Sequence, residues 1–233
     1  MLLITEKPNA GLFIGTLFML DQHFSFAIAA VLVASVRYGT YFHTIYQGKT
    51  KPHAFSWLLW GTVTGIGTFV QSSLNGGPSV WALAFVSITC LLIALLAFFI
   101  GERDYKKSDF VALFACALAI PIWHTTHHAI LALLVIIGID LLTYWPTIRK
   151  SYDKPETEPP ISYGFAGLRY FLMLFAVPDP TWETLMYPFF LMMSDWVFAL
   201  YVVWRRRQLG HPLHEYAEPT VGGRQSVSNH GRS

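Results

Sequence analysis

Charge is what this sequence has least of. Asp, Glu, Lys and Arg make up 13% of its 233 residues, about half of the roughly 25% that a soluble domain carries. Cysteine is scarcer still, with only Cys90 and Cys116, both inside apolar stretches. They read as small core hydrophobes and carry no disulfide or redox information. Amphipathic periodicity is missing as well. The apolar residues, 54% of the chain, fall in long blocks, which argues against a water-facing helical bundle and puts lipid on the outside. No Gly-rich phosphate loop follows a strand, so nothing points to a nucleotide, flavin or haem. No cofactor, catalytic residue, resident metal or nucleic-acid partner is expected, and the chain is not expected to be an enzyme.

What is present is membrane-like. Mean hydropathy is +0.44, and seven stretches are expected to span, set against the ~20 residues that a spanning helix needs, the fourth being the shortest: Phe24–Tyr46, Ala54–Ser72, Val80–Ile100, Phe110–His124, Ala129–Ile148, Ile161–Val177 and Leu185–Trp204. The apolar run Ala10–Leu20 is too short to span, and is expected to be an interfacial helix or an extension of the first span. Lys49 and Lys51, then Arg103, Lys106 and Lys107, then Arg149, Lys150 and Lys154, then Arg205, Arg206 and Arg207 follow alternate spans. The connections 73–79, 125–128 and 178–183 hold no Lys or Arg. The positive-inside rule therefore predicts an outside N-terminus and a cytoplasmic C-terminus; a plasma membrane is the expected compartment, with no targeting signal to separate it from an organelle's.

One segment occurs twice. Thr40-Tyr41-Phe42-His43-Thr44-Ile45-Tyr46 leads to Lys51-Pro52; Thr143-Tyr144-Trp145-Pro146-Thr147-Ile148-Arg149 leads, at the same spacing, to Lys154-Pro155. Each copy closes one apolar stretch and leads into another. The expected fold is thus all-α: a polytopic membrane protein of seven transmembrane helices, two parallel three-helix repeats joined by an inversion helix. The divisions are an outer segment 1–23, a first repeat 24–101, a linker helix 108–126, a second repeat 129–205 and a disordered cytoplasmic tail 206–233.

A helix closing on a Pro-Gln-like dipeptide, a basic turn and a Ser-bearing helix resembles the PQ-loop superfamily, which includes SWEET-like sugar transporters and cystinosin-like amino-acid exporters. The dipeptide positions hold His43-Thr44 and Pro146-Thr147, and the following serines are Ser56 and Ser162. The resemblance implies transport between two helix bundles, with His43 and Pro146 at hinge positions. A proline there removes a backbone donor and opens the helical ladder. Literal Pro-Gln is missing from both copies. So is the intramembrane Asn pair that SWEET-type sugar sites share.

Four ionisable residues lie inside the spans: Arg37, Asp140, Arg169 and Asp195. Lipid makes each costly. In the repeat alignment Arg37 falls on Asp140, so the two are expected to pair across the pseudo-axis, with Arg169 and Asp195 as a second pair. Such pairs either fix helix packing or let Asp140 or Asp195 carry a proton coupled to solute movement. Tyr41, Tyr144, Trp57, Trp60 and Trp196 are candidate stacking surfaces for a small solute, with an interfacial aromatic belt as the competing and favoured reading of Trp57 and Trp60, and Gln71 is a candidate polar contact.

The expected function is movement of a small polar solute by alternating access, with protons as a coupled ion and lipid as the only other partner. Two alternatives compete. A seven-helix sensor or receptor is one, although no lysine in the last span leaves room for a retinal Schiff base. A membrane metalloenzyme using His124, His127 and His128 is the other, although His43 and His53 belong to the opposite face.

Overall fold

The computed structural model describes residues 10–48, 52–101, 128–210 and Pro212, with helical backbone at Phe110, Val111, Phe114, Leu118, Pro121 and Thr125 in between. The described elements are α1 (Ala10–Tyr46), α2 (Ala54–Ser73), α3 (Ser79–Ile100), α4 (Ala129–Asp153), a 3-10 turn (Pro155–Thr157), α5 (Pro160–Phe175) and α6 (Trp182–Gln208). No strand occurs among the described residues, and the chain is all-helical there. Most of the fourth expected span, His124, His127 and the basic segment 102–107 lie outside the described residues.

The helix boundaries follow local chemistry. His53 caps α2 by accepting from the Ser56 amide at 3.3 Å. Asn75 and Gly77 both take positive φ (59° and 61°) and turn the chain into α3. Proline stands at the first position of α5, where its missing N–H costs nothing. Thr181 and Thr184 form a reciprocal capping box on α6. Helix α1 runs unbroken from Ala10, so the short apolar run extends the first span. Residues 206–208, expected in the tail, are instead the last residues of α6.

Large aliphatics line the outside of the helices, and many of the buried positions are small. On α1, Ala27, Ala30, Ala34 and Tyr38 are buried, while Ile28, Leu32 and Val36 are 58%, 61% and 65% exposed. On α3, Ala82, Ala94 and Ala97 are buried, and Ile88, Leu95 and Phe99 face out. Small residues inside and large aliphatics outside suit helices surrounded by lipid, where close backbone approach holds the bundle together. Among the described residues, four helical segments are long and apolar enough to cross a membrane: Gln22–Tyr46, Ser79–Ile100, Ile130–Asp153 and Trp182–Gln208. These features make the chain a membrane protein.

The main packing partners are α2 with α3, α5 with α6, α1 with α5 and α3, and α4 with α6 and α2. Close approach between α2 and α6 is possible because Gly67 has no side chain: a Cβ there would strike the Tyr187 ring. Gly167 likewise receives the Trp196 indole, which donates to the Gly164 carbonyl at 3.2 Å. Pro188, inside α6, cannot donate to the carbonyl four residues back, that of Thr184. Fully buried Gln71 on α2 donates its Nε2 hydrogen to that same carbonyl. A neighbouring helix thus satisfies the group that the proline freed. At the other end of the bundle, buried Arg206 donates to the carbonyls of Pro155, Glu156, Glu158 and Pro212.

Candidate functional site

Helical spacing gathers one polar face from each described helix. Trp57, Trp60 and Thr64 recur at three and four residues on α2. Val86 with Cys90, Asp140 with Tyr144, and Leu191 with Asp195 are each four apart on α3, α4 and α6, and residues so spaced share a face. Together with Arg37 and Tyr38 of α1 and Tyr163, Arg169 and Tyr170 of α5, they line a cavity of about 60 Å³. One water fills roughly 10–15 Å³ on this measure, so the space holds a few waters or a solute of few atoms. Asp140, Arg169 and Asp195 are buried, and Arg37 is half-buried.

The four charged residues expected from the sequence meet in this one place, but not as the expected pairs. Arg37 donates through Nε to Ser162 Oγ at 3.1 Å. Arg169 donates to the hydroxyls of Tyr38 and Tyr170, both at 2.9 Å. Asp195 accepts from Tyr144 at 2.6 Å, and Asp140 accepts from Tyr187 at 3.4 Å. The physical reason is the phenol itself. A tyrosine hydroxyl can accept from a guanidinium or donate to a carboxylate, and Arg169, Asp195 and Asp140 each bond to tyrosines. Arg169 and Arg37 act on Asp195 through space, and Asp195 acts on Asp140.

The aromatic candidates divide. Trp57, Trp60 and Tyr144 line the cavity. Tyr41 stands behind it, accepting from the Trp57 indole at 3.1 Å with the rings 4.8 Å apart. Two candidates lie elsewhere. Gln71 is committed to the Thr184 carbonyl, and Trp196 packs between α5 and α6 against Gly167 and Phe171. Of the hinge positions, His43 bonds Gln47 at 2.7 Å near the end of α1, and the α4 backbone stays helical through Pro146. No group of three or more His, Cys, Asp or Glu placed to hold a metal occurs among the described residues.

The cavity also contains residues that the sequence did not single out: Tyr38, Thr64, Cys90 and Tyr170. One signal was available for two of them. The dipeptide Arg-Tyr occurs at Arg37-Tyr38 and again at Arg169-Tyr170, and both tyrosines bond to Arg169. Thr64 and Cys90 carry no such mark in an apolar stretch. No family model, curated protein or solved structure matches the chain.

Proposed function

We propose that this protein is a transporter of the PQ-loop, SWEET-like kind, with seven spans, that moves a small polar solute by alternating access between two three-helix bundles. The observation that carries the reading is the cavity: two arginines and two aspartates, drawn from both halves of the chain, around a space between helices. Buried charge in lipid is expensive and marks a solute or ion path. The packing supports a duplicated architecture. Exchanging α1, α2 and α3 for α4, α5 and α6 turns each main helix pair into another main pair: α2–α3 into α5–α6, α1–α3 into α4–α6, α1–α5 into α2–α4. The turns at 74–78 and 176–181 lack Lys and Arg, whereas Arg205, Arg206 and Arg207 gather at the opposite end of α6. That asymmetry supports a cytoplasmic C-terminus.

Protein reconstituted in liposomes, screened for uptake of small polar metabolites under an imposed pH gradient, tests the reading. Uptake that follows the gradient in wild type and loses that response in Asp140→Asn or Asp195→Asn is the expected result. Variants that retain the full pH response would remove the aspartates from the coupling. Absence of flux for every solute would favour a receptor.

A further inference from the structure

Arg169 is 96% buried by its 4% exposure, and its surroundings leave it incomplete. Its Nη1 and Nη2 hydrogens go to two neutral phenols, Tyr38 and Tyr170. Its Nε–H is buried with no acceptor among the described residues. A guanidinium is built for a planar carboxylate on two adjacent donors, yet no carboxylate sits on this one; Asp195 acts from further away and is itself held by Tyr144. A buried donor without a partner costs on the order of 1–3 kcal/mol, and a buried charge without a direct counter-ion costs more. The residue lines the cavity, with Arg37 on the same wall system and Trp57 and Trp60 as apolar surface.

We propose that the cavity recognises its solute through a carboxylate, held by the Arg169 guanidinium, whose Nε–H has no partner among the described residues, with Arg37 as the second cation. This deepens the transport reading and rests on it for the solute's passage, although the binding step stands alone. A phosphoryl group, with three acceptor oxygens, asks for more donors than this pocket leaves open. The aspartates set the orientation. The carboxylate lies toward the arginines, and any ammonium on the same solute lies toward Asp195 on α6.

Isothermal titration of the purified full-length protein against four short ligands tests this: propionate, β-alanine, propionamide and propylamine. Propionate and β-alanine are expected to bind and compete, and the amide and amine are not. Tighter binding of β-alanine identifies a zwitterion using Asp195; equal or tighter binding of propionate identifies a plain carboxylate. Equal binding of propionate and propionamide, or binding of neither acid, overturns the proposal. Arg169→Lys, which keeps the charge but loses the fork, should weaken propionate by at least about tenfold. A second reading needs no change at Arg169. In a Cys116→Ser background, Cys90 lines the same cavity, and propionate should slow its alkylation by N-ethylmaleimide where propionamide does not. Unchanged rates with saturating propionate overturn the proposal. Flux of some other solute without propionate binding would sink this inference and leave transport standing; propionate binding without flux would do the reverse.

Discussion

At the scale of single residues, polar side chains buried in the bundle have one of two employments. Arg169 and Asp195 face the cavity, whereas Gln71 repairs backbone. Its amide serves the Thr184 carbonyl because Pro188 has no hydrogen to give. Removing it should leave a buried carbonyl unmet, at about 1–3 kcal/mol. Gln71→Ala is therefore expected to lower the unfolding midpoint in detergent while leaving solute affinity unchanged. The decisive comparison is the double-mutant cycle with Pro188→Ala, which restores the helical N–H. In that background the cost of Gln71→Ala should largely vanish. An equal cost in both backgrounds would show that Gln71 stabilises by packing alone. This pairing was not legible in the sequence, because Gln71 and Pro188 are 117 positions apart and nothing local to either names the other. The same holds for Thr64 and Cys90: in a helix that is apolar all round, polarity does not tell which face looks inward.

At the scale of elements, the described helices were legible because apolar blocks are long and their ends carry Pro, Gly, Asn or Thr, and four of them are long and apolar enough to cross a membrane. The expected boundary at Phe24 differs from the helix start at Ala10 because Asp21, Gln22 and His23 break hydropathy without breaking a helix. His23 spends its ring on the Phe175 carbonyl at the end of α5, 2.7 Å away. The end of α6 shows the converse. Arg205 and Arg206 read as topology-setting charges, yet Arg205 lies 3.9 Å over the Tyr152 ring and Arg206 is buried against four carbonyls. They fasten α6 to the turn between α4 and α5. Arg206→Ala should cost about 2–4 kcal/mol, because hydrogen bonds to a charged donor are the stronger kind. Arg206→Lys should recover only part of it, since an ammonium lacks the planar fork. Thermal unfolding in detergent reads both. A loss within error of zero for Arg206→Ala would mean that the fastening is ornamental.

At the scale of the whole molecule, the proposed duplication has support from two independent grounds. The repeat is visible in six identities over thirteen aligned positions, 40–52 against 143–155; the packing repeats with no reference to residue type. The proposed orientation can be tested in intact cells. With both native cysteines replaced by serine, Asn75→Cys should react with a membrane-impermeant maleimide from outside, and Asp153→Cys only after lysis. The opposite pattern would invert the molecule and place its basic end outside. What remained illegible at this scale was how the charges combine. An alignment of Arg37 with Asp140 suggested a direct pair, but equivalence in a repeat fixes the depth of a residue rather than the atoms beside it. Arg37 bonds to Ser162 and Asp140 to Tyr187, partners that no charge count registers.

Helix α1 is 37 residues long, about 55 Å at 1.5 Å per residue, against a hydrocarbon layer of about 30 Å. Part of it must stand clear of the apolar layer or lie steeply across it. Its far end holds Arg37 and Tyr38 and rests on α5, which carries Arg169. From its first residue, Ala10, to Arg37 at the cavity the helix runs about 40 Å. A body bound to its first turns would act on the guanidinium cluster from that distance along one continuous rod.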